Sequence, residues 1–132
     1  EGLLKVLAPN IVHEGYAPDR ETYAELLGSA DLVASTALHE FFGMAVAEGL
    51  AAGCTPLVPN RLSYPEVLGP ELADGLYEEG GLASRLTLFA SEPAALRERS
   101  QRERMRARAR AWSADETCLC LDELADCLQS RS

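Results

Sequence analysis

Short apolar runs alternate with amphipathic segments along most of this chain, and this alternation predicts an α/β fold with a parallel sheet. Ile11–His13 is a short strand candidate. Asp31–Thr36 is a compact apolar run, and we predict a strand buried on both faces there. Pro56–Val58 begins or continues another strand, and a turn at Asp74–Gly75 precedes the short run Leu76–Tyr77.

Helix signals separate these apolar runs. Asp19 can cap a helix, because its side chain can accept a bond from the first free backbone amides. Apolar residues follow at helical spacing: Tyr23, Leu26, Leu27 and Ala30. Residues 43–52 predict a mostly apolar helix that should be buried. Gly53 is suited to end that helix in a left-handed conformation, since glycine has no Cβ.

The second half of the chain carries further helix signals. Ser63–Glu66 has the Ser-x-x-Glu spacing of a capping box with an early proline, so a short helix should begin there. Two more helices are expected over roughly 80–90 and 93–111. Ser113–Glu116 repeats the capping-box spacing before a final helix, whose apolar stripe is formed by Leu121, Leu124, Ala125 and Leu128.

The length and composition fit a single domain. At 132 residues with 47% hydrophobic content, the chain is long enough to bury a core and suits the soluble globular class. We therefore expect one domain over 1–132, with 1–10 as the remnant of a preceding element and 113–132 as a C-terminal helix. A membrane helix needs roughly 18 uninterrupted apolar residues, and neither such a run nor a signal peptide is visible. The default expectation is a cytoplasmic protein without membrane contact.

Metal and disulfide sites are not indicated by the cysteines and histidines. The chain has four cysteines: Cys54, Cys118, Cys120 and Cys127. None of them has Cys-x-x-Cys spacing, and the only histidines are His13 and His39. We expect reduced thiols that fill buried space, and no metal site.

The charge of the chain is strongly acidic but uneven. A formal net charge of -9 disfavours binding of nucleic acid through the overall field, because phosphate contacts depend on Lys and Arg. Seven arginines nevertheless crowd one stretch: Arg97, Arg99, Arg102, Arg104, Arg106, Arg108 and Arg110. Two interpretations are open, contact with an RNA acceptor and a solvated helix face in which Glu98 pairs with Arg102.

The most informative feature is a pair of carboxylates, Glu40 and Glu48, at the two ends of an otherwise apolar stretch. Burying a carboxylate without a partner is costly, so each should have a purpose. If the span were fully helical, the two would be about 12 Å apart along the axis. Glycosidase carboxylates lie closer, about 5 to 9.5 Å apart, so this spacing better suits two hydroxyl-rich groups of one extended ligand. A nucleotide-sugar has such groups in its ribose and its sugar.

A diphosphate would lie between those two groups, and the segment can bind one. A helix N-terminus with free amides from Phe41 to Met44 offers the partial positive charge that a diphosphate seeks. Gly43 lacks a Cβ, which lets the backbone come close to a ligand. For Glu40 the alternative is a helix-cap carboxylate that satisfies those amides itself.

Several other residues are weaker candidates. His39 can touch the sugar or a phosphate, or be structural. Phe41 and Phe42 are adjacent, so one can line the pocket while at least one packs in the core. Asn60 and Arg61 follow the carboxyl end of a strand, where open α/β sheets bind ligands.

These motifs together carry a resemblance. Glu-x7-Glu over Glu40–Glu48, preceded by Ser29–Val33 and followed by Ala52–Val58, resembles family 4 of the GT-B glycosyltransferases. His39–Gly43, then Gly53-Cys-x-Pro-Leu-x-Pro59 and Leu62-x-Tyr-Pro-Glu66, is similar to the tRNA-queuosine α-mannosyltransferases. The resemblance implies the Rossmann-like, donor-binding C-terminal half of a GT-B fold, truncated at its N-terminus.

The resemblance also implies roles for individual residues. Glu40 would contact hydroxyls of the donor sugar and orient it, and Glu48 would hold the ribose hydroxyls. The amides of Phe41, Phe42, Gly43 and Met44 would meet the sugar and the distal phosphate. Such enzymes retain the anomeric configuration and use no metal or other cofactor.

For the narrower family, the donor would be GDP-mannose and the acceptor queuosine in a tRNA, bound mainly by the absent N-terminal domain. The isolated chain should then be inactive or nearly so, because catalysis takes place between two domains. Two alternatives are open: another nucleotide-sugar donor of the UDP-glucose type, and a non-catalytic nucleotide-binding or interaction module.

Overall fold

The computed structural model describes residues 8–112, which fold around a small parallel sheet. Its strands are β1 (Leu32–Ala34), β2 (Thr55–Pro59) and β3 (Leu76–Tyr77), in the order β1-β2-β3. Leu32 is in register with Thr55, and Val58 with Leu76. Parallel neighbours need crossover connections, and helices supply them here. The predicted α/β fold with a parallel sheet flanked by helices is confirmed.

Six α-helices and two short 3-10 helices accompany the strands within this region. The α-helices are α1 (Arg20–Ser29), α2 (Met44–Ala52), α3 (Tyr64–Leu68), α4 (Leu82–Ser91), α5 (Pro93–Arg97) and α6 (Arg99–Arg110). The 3-10 helices cover Ala8–Asn10 and Pro70–Gly75.

Two predicted helix ends are confirmed by their backbone geometry. Asp19 caps α1, and its Oδ1 accepts a 2.8 Å hydrogen bond from the Thr22 amide. This backbone hydrogen bond holds the pKa of Asp19 below its usual value. Gly53 ends α2 with a φ of 94°, in the left-handed region that favours glycine. Local residue chemistry therefore sets both helix boundaries.

The core lies between α2, the sheet and α6. Its buried residues are Val46, Leu50, Val58, Tyr64, Val67, Leu68, Leu72 and Met105. Helix α2 approaches β1 closely at Gly49, where an added Cβ would lie 2.8 Å from the Val33 side chain. Only a residue without a side chain allows this contact, and it fixes how α2 crosses the sheet.

Part of the arginine stretch is anchored to the protein, although Arg99 is 92% exposed. Arg102 donates to the carbonyls of Gly28 and Ala52 at 3.2 and 3.3 Å, and it lies 3.7 Å from the Asp31 carboxylate. The predicted pairing of Glu98 with Arg102 is wrong, because the guanidinium satisfies carbonyls at the C-terminal ends of α1 and α2.

Other arginines of this stretch also bind other parts of the fold, whereas Arg99 pairs with Glu103 of its own helix. Arg108 donates to the carbonyls of Glu66 and Val67 at 2.6 and 2.9 Å, near the end of α3. Arg97 pairs with Asp31 at 2.9 Å, and Arg106 donates to Ala52 at 3.2 Å. The crowding of arginines thus matches a crowding of helix C-termini on one side of the fold.

Three sequence expectations about strands and buried faces are wrong. Ile11–His13 forms no strand, since Val12 is 92% exposed and no neighbouring described backbone pairs with it. Strand β1 is only partly buried, because it lies at an edge of the described sheet. Helix α2 buries only one face, formed by Val46, Gly49 and Leu50.

The later helices differ from expectation in two details. The helix expected over 93–111 is two helices, because Glu98 adopts an extended ψ of 136° between α5 and α6. Helix α3 begins after Ser63 as predicted, but the Ser63 side chain makes no capping hydrogen bond. Its Oγ is buried without a partner among the described residues. The capping-box spacing therefore predicts the start of the helix correctly, although the capping hydrogen bond of Ser63 does not form.

Some expectations concern residues outside the described part. The final helix over 113–132 lies there, as do residues 1–7 of the expected remnant 1–10 and the cysteines Cys118, Cys120 and Cys127. Cys54 is within it and is fully buried, as expected of filler. Burial raises the pKa of the Cys54 thiol, which keeps it protonated and unreactive.

Candidate functional site

The carboxyl ends of the three strands meet at one edge of the sheet, where a network of hydroxyls ties their loops together. Ser35 and Tyr64 share a 2.7 Å hydrogen bond between hydroxyls. The Tyr77 hydroxyl donates to the Ser35 carbonyl at 2.8 Å. The loop that follows β1 is therefore held in place by α3 and β3 before it enters α2.

Glu40 closes the turn at the end of that loop. Its Oε1 accepts hydrogen bonds from the amides of Phe41, Phe42 and Gly43 at 3.0, 3.3 and 3.0 Å. These are three of the four amides expected to meet a sugar or phosphate. In this state the Glu40 carboxylate itself satisfies them, as in the helix-cap alternative. Its contact with a donor sugar stays a prediction.

Gly43 makes the turn into α2 possible. It is buried, and its φ of 86° lies in the left-handed region. An added Cβ would lie 3.2 Å from the ring of Tyr64, so a larger residue would strain the backbone and require the ring to shift. The Gly43 carbonyl accepts from the amides of Val46 and Ala47, which begins the helix.

Glu48 is exposed, because it lies on a face of α2 that does not pack against the core. The sequence suggests no partner for it, but the structure provides one. The Tyr23 hydroxyl of α1 donates a 2.7 Å hydrogen bond to Glu48 Oε2. This hydrogen bond, together with burial and the nearby negative charge, raises the pKa of Tyr23 to about 12. Tyr23 therefore keeps its proton at neutral pH.

Two cavities adjoin at Glu48, and we call them together the Glu48 groove. They share Glu48, Ala51 and Arg106 in their linings and have volumes of about 530 and 840 Å³. The smaller lies between α2 and α6 and reaches Phe42, Met44 and Trp112. The larger lies between α1 and α2 and reaches Tyr16, Arg20 and Tyr23. A carboxylate, arginines and aromatic rings thus line one continuous surface.

The two phenylalanines of the motif lie outside the core, so the expectation that at least one packs there is wrong. Phe41 is fully exposed and Phe42 is 37% exposed. Phe42 instead packs edge-to-face on Trp112, with the ring centroids 5.2 Å apart. Trp112 in turn donates from Nε1 to the Val67 carbonyl at 3.2 Å. Phe42 is therefore held at one end of the Glu48 groove.

A second hollow, the strand-end cleft, lies at the edge of the sheet and has a volume of about 460 Å³. Asn60 and Arg61 line it, as their position after β2 predicts. The Asn60 amide donates to Glu78 Oε1 at 2.6 Å, and Arg61 donates to the Ala37 carbonyl at 3.2 Å. Both side chains are exposed and bridge neighbouring loops.

The predicted site residues therefore fall into separate places. Phe42, Met44 and Glu48 line the Glu48 groove, and Asn60 and Arg61 line the strand-end cleft. Glu40 and the exposed His39 line neither. The two carboxylates do not share either of these cavities in this state.

Six aromatic or basic residues that line the Glu48 groove are not among the site candidates from the sequence: Tyr16, Arg20, Tyr23, Arg106, Arg110 and Trp112. Tyr23 has the spacing of a core residue, and Arg106 lies within the arginine stretch. Only the fold brings these residues to Glu48, because they come from two parts of the chain that are distant from it, 16–23 and 106–112. Apart from the crowding of arginines around Arg106, the sequence has no signal that marks them.

The described residues contain no group of three or more His, Cys, Asp or Glu side chains that could hold a metal ion. Over residues 8–112, no helix is long and apolar enough to cross a membrane.

Comparison with known proteins gives a family match over most of the chain. The sequence profile of the family described as "Glycosyl transferases group 1" matches residues 5–112. The tRNA-queuosine alpha-mannosyltransferase of Drosophila melanogaster is 38% identical over 98 residues, which cover 74% of this chain and 25% of the relative.

A second relative is a bacterial enzyme. The MMP alpha-(1->4)-mannosyltransferase of Mycolicibacterium hassiacum is 38% identical over 63 residues, or 47% of this chain and 15% of the relative. The matched part thus spans a quarter or less of either relative's length. No solved structure matches the chain significantly.

Proposed function

The chain belongs to the glycosyl transferases group 1 family, and we propose that it is the donor-binding domain of a retaining mannosyltransferase that uses GDP-mannose. The acceptor that we propose is queuosine in tRNA, and the proposal rests on the similarity to the Drosophila enzyme. Both relatives described above are named as mannosyltransferases, which supports mannose as the transferred sugar. The parallel sheet with flanking helices agrees with the Rossmann-like half of a GT-B enzyme.

The observation that carries this proposal is the composition of the Glu48 groove. The nucleoside diphosphate part of the donor has three recognisable components: an aromatic base, a ribose rich in hydroxyls and a doubly charged phosphate chain. The groove offers tyrosine rings for a base, the Glu48 carboxylate for hydroxyls, and Arg20 and Arg106 for phosphates. These groups all line the same cavity.

The motif residues have the following proposed roles. Glu48 binds the ribose hydroxyls, while Glu40 contacts the donor sugar and His39 assists at the sugar or a phosphate. When the donor binds, it takes over some of the amides of Phe41, Phe42 and Gly43 that pair with Glu40, together with the amide of Met44. Asn60 and Arg61 contribute to donor binding from the strand-end cleft.

No metal has a place in the proposed mechanism. Amides at the start of α2 and basic side chains would stabilise the leaving diphosphate instead. Transfer also needs an acceptor held against the donor, and in this proposal a further domain holds it. We therefore expect the 132-residue chain alone to bind a donor but to transfer little or no sugar.

Calorimetry on the purified chain tests the donor. Tighter binding of GDP-mannose than of UDP-glucose supports the proposal, and the reverse order indicates a different nucleotide-sugar. Absence of binding by either compound indicates a non-catalytic module that kept the fold.

A matched pair of variants tests the groove itself. Glu48→Ala should weaken GDP-mannose binding about tenfold or more, because a hydrogen bond to a charged group contributes roughly 1.5–3 kcal/mol. Glu25→Ala removes the same charge from an exposed position of α1 outside the groove and should leave binding unchanged. Equal affinity of the Glu48→Ala chain and the unaltered chain would falsify the ribose role.

The acceptor needs a separate test with a two-domain form that includes this chain. Incubation with GDP-mannose should add mannose to tRNA that carries queuosine, and not to the same tRNA with guanosine at that position. Transfer to neither tRNA, by a form that binds GDP-mannose, contradicts the proposed acceptor and leaves the donor assignment standing.

A further inference from the structure

We propose that Tyr23 is a positioning residue for the donor, because its hydroxyl fixes the Glu48 carboxylate so that the pair selects a ligand with two neighbouring hydroxyls. This inference rests on the proposed function, since it identifies the ribose as the part of the donor that this pair recognises.

The contact between the two side chains links separate helices across the groove. Tyr23 is on α1 and Glu48 is on α2, and the hydroxyl meets Oε2 at 2.7 Å. Both line the larger cavity of the groove. A glutamate has three rotatable side-chain bonds, and an exposed one samples many rotamers. The hydrogen bond holds Glu48 in one of them before a ligand arrives, which lowers the entropy cost of binding.

The proton of Tyr23 determines what the pair can recognise. A phenol has one proton to donate, and here it is committed to Glu48. A carboxylate has only acceptor sites, and the remaining lone pairs on both side chains are acceptors as well. The raised pKa of Tyr23 keeps this arrangement at physiological pH. The pair therefore presents acceptors alone to the groove.

A surface made only of acceptors binds a ligand that supplies adjacent donors. The cis-diol of a ribose supplies two hydroxyl protons on neighbouring carbons. A 2′-deoxyribose supplies one fewer, and its nucleotide leaves an acceptor of this pair without a partner. The groove also contains Arg20 and Arg106, so a diphosphate attached to the ribose lies near positive charge.

A simple packing role makes a different prediction from a positioning role. If Tyr23 only joins α1 to α2, removing its hydroxyl weakens all nucleotides equally. If Tyr23 orients Glu48 toward a diol, the preference for ribose over deoxyribose shrinks as well. The ratio of two affinities therefore separates the two roles.

The experiment measures binding of GDP and 2′-deoxy-GDP by the full chain and by Tyr23→Phe. The unaltered chain should prefer GDP. Tyr23→Phe should bind GDP about three- to tenfold more weakly, as expected for one lost hydrogen bond, and should lose most of that preference. Circular dichroism and thermal melting confirm that the variant is folded.

Tyr16→Phe is the matched control, because it keeps the ring that is proposed for the base and removes only a hydroxyl of the same cavity that is not paired with Glu48. It should leave the ratio of the two affinities unchanged. If Tyr23→Phe leaves the ratio of the two affinities unchanged, the inference is wrong, whether or not GDP binds more weakly. The proposed function stands in that case. If the unaltered chain binds neither GDP nor UDP, both proposals are wrong.

Discussion

Gly49 and Val33 are in contact across the interface of α2 and β1, with only 2.8 Å between the Val33 side chain and the place where a Cβ on Gly49 would lie. Helix α2 also carries Glu48, the residue directly before Gly49. The distance between helix and sheet at this point therefore determines how Glu48 is presented to the groove.

Gly49→Ala should destabilise the domain by about 1–3 kcal/mol, because the added methyl group forces the helix away from the strand. Urea denaturation followed by circular dichroism measures the change. Gly28→Ala is the control, since a Cβ at Gly28 of α1 meets nothing within 4 Å. It should be neutral or slightly stabilising, because alanine favours the helix. Equal destabilisation by the two variants contradicts the close contact.

Two Glu40 variants should separate the structural role of Glu40 in the turn from its proposed role in sugar transfer. Glu40→Ala removes the acceptor of three amides and should cost about 1–2 kcal/mol of stability. Glu40→Gln keeps an acceptor oxygen in the same place, so its stability should stay close to that of the unaltered chain.

In a two-domain form, both Glu40 variants should reduce mannose transfer if the carboxylate also orients the donor. Full activity of Glu40→Gln, measured as kcat with saturating GDP-mannose, contradicts a catalytic role of Glu40. Only its structural role in the turn would then remain.

Tyr23 should ionise well above the ordinary pKa of a phenol. Glu48 raises its folded pKa to about 12, above the ordinary value of about 10 in the unfolded chain. The stabilising hydrogen bond is therefore fully present below about pH 10 and is lost as the pH rises through the folded pKa. Ultraviolet difference absorbance between the unaltered chain and Tyr23→Phe reports this single phenol.

The difference signal should be nearly absent at about pH 10, where an unperturbed phenol is half ionised. Glu48→Ala should restore ionisation toward that pH, because it removes the acceptor of the hydrogen bond, which is the largest cause of the shift, together with the negative charge. A Tyr23 signal that appears at about pH 10 in the unaltered chain contradicts the pairing.

Arg102 should contribute more to stability than its position in a charged stretch indicates. Arg102→Gln loses bonds to the Gly28 and Ala52 carbonyls and the Asp31 ion pair, and the side chain is only 21% exposed. We expect a loss of about 1–3 kcal/mol in urea denaturation. Arg110→Gln, at an exposed position in the last turn of α6, should change stability by less than about 0.5 kcal/mol.

Much of the fold could be predicted from the sequence where structure depends on neighbouring residues. Asp19 accepts from an amide three positions away, and Gly53 needs only its own backbone freedom. Strand β2 is one short buried run between such signals. Ile11–His13 has the same kind of apolar pattern, yet a strand also needs a partner, which a local pattern does not reveal.

The site was less predictable because its contacts join distant parts of the chain. Tyr23 and Glu48 are 25 positions apart, and neither residue type specifies the other. The motif identified Glu48, Phe42 and Met44 as neighbours, while the opposite wall of the groove depends on how α1 and α6 pack. The carbonyl partners of Arg102 and Arg108 could not be predicted for the same reason, since they belong to other helices.

The carbonyl bonds of α6 have a consequence for how the domain opens. Arg102 connects this helix to the ends of α1 and α2, and Arg108 connects it to the end of α3. Detaching α6 would expose Met105 and leave several carbonyls without donors at once, so fraying of this helix by itself is unfavourable. Amide hydrogens in the middle of α6 should therefore exchange with solvent at the slow rate of those in α2, as parts of one cooperative unit.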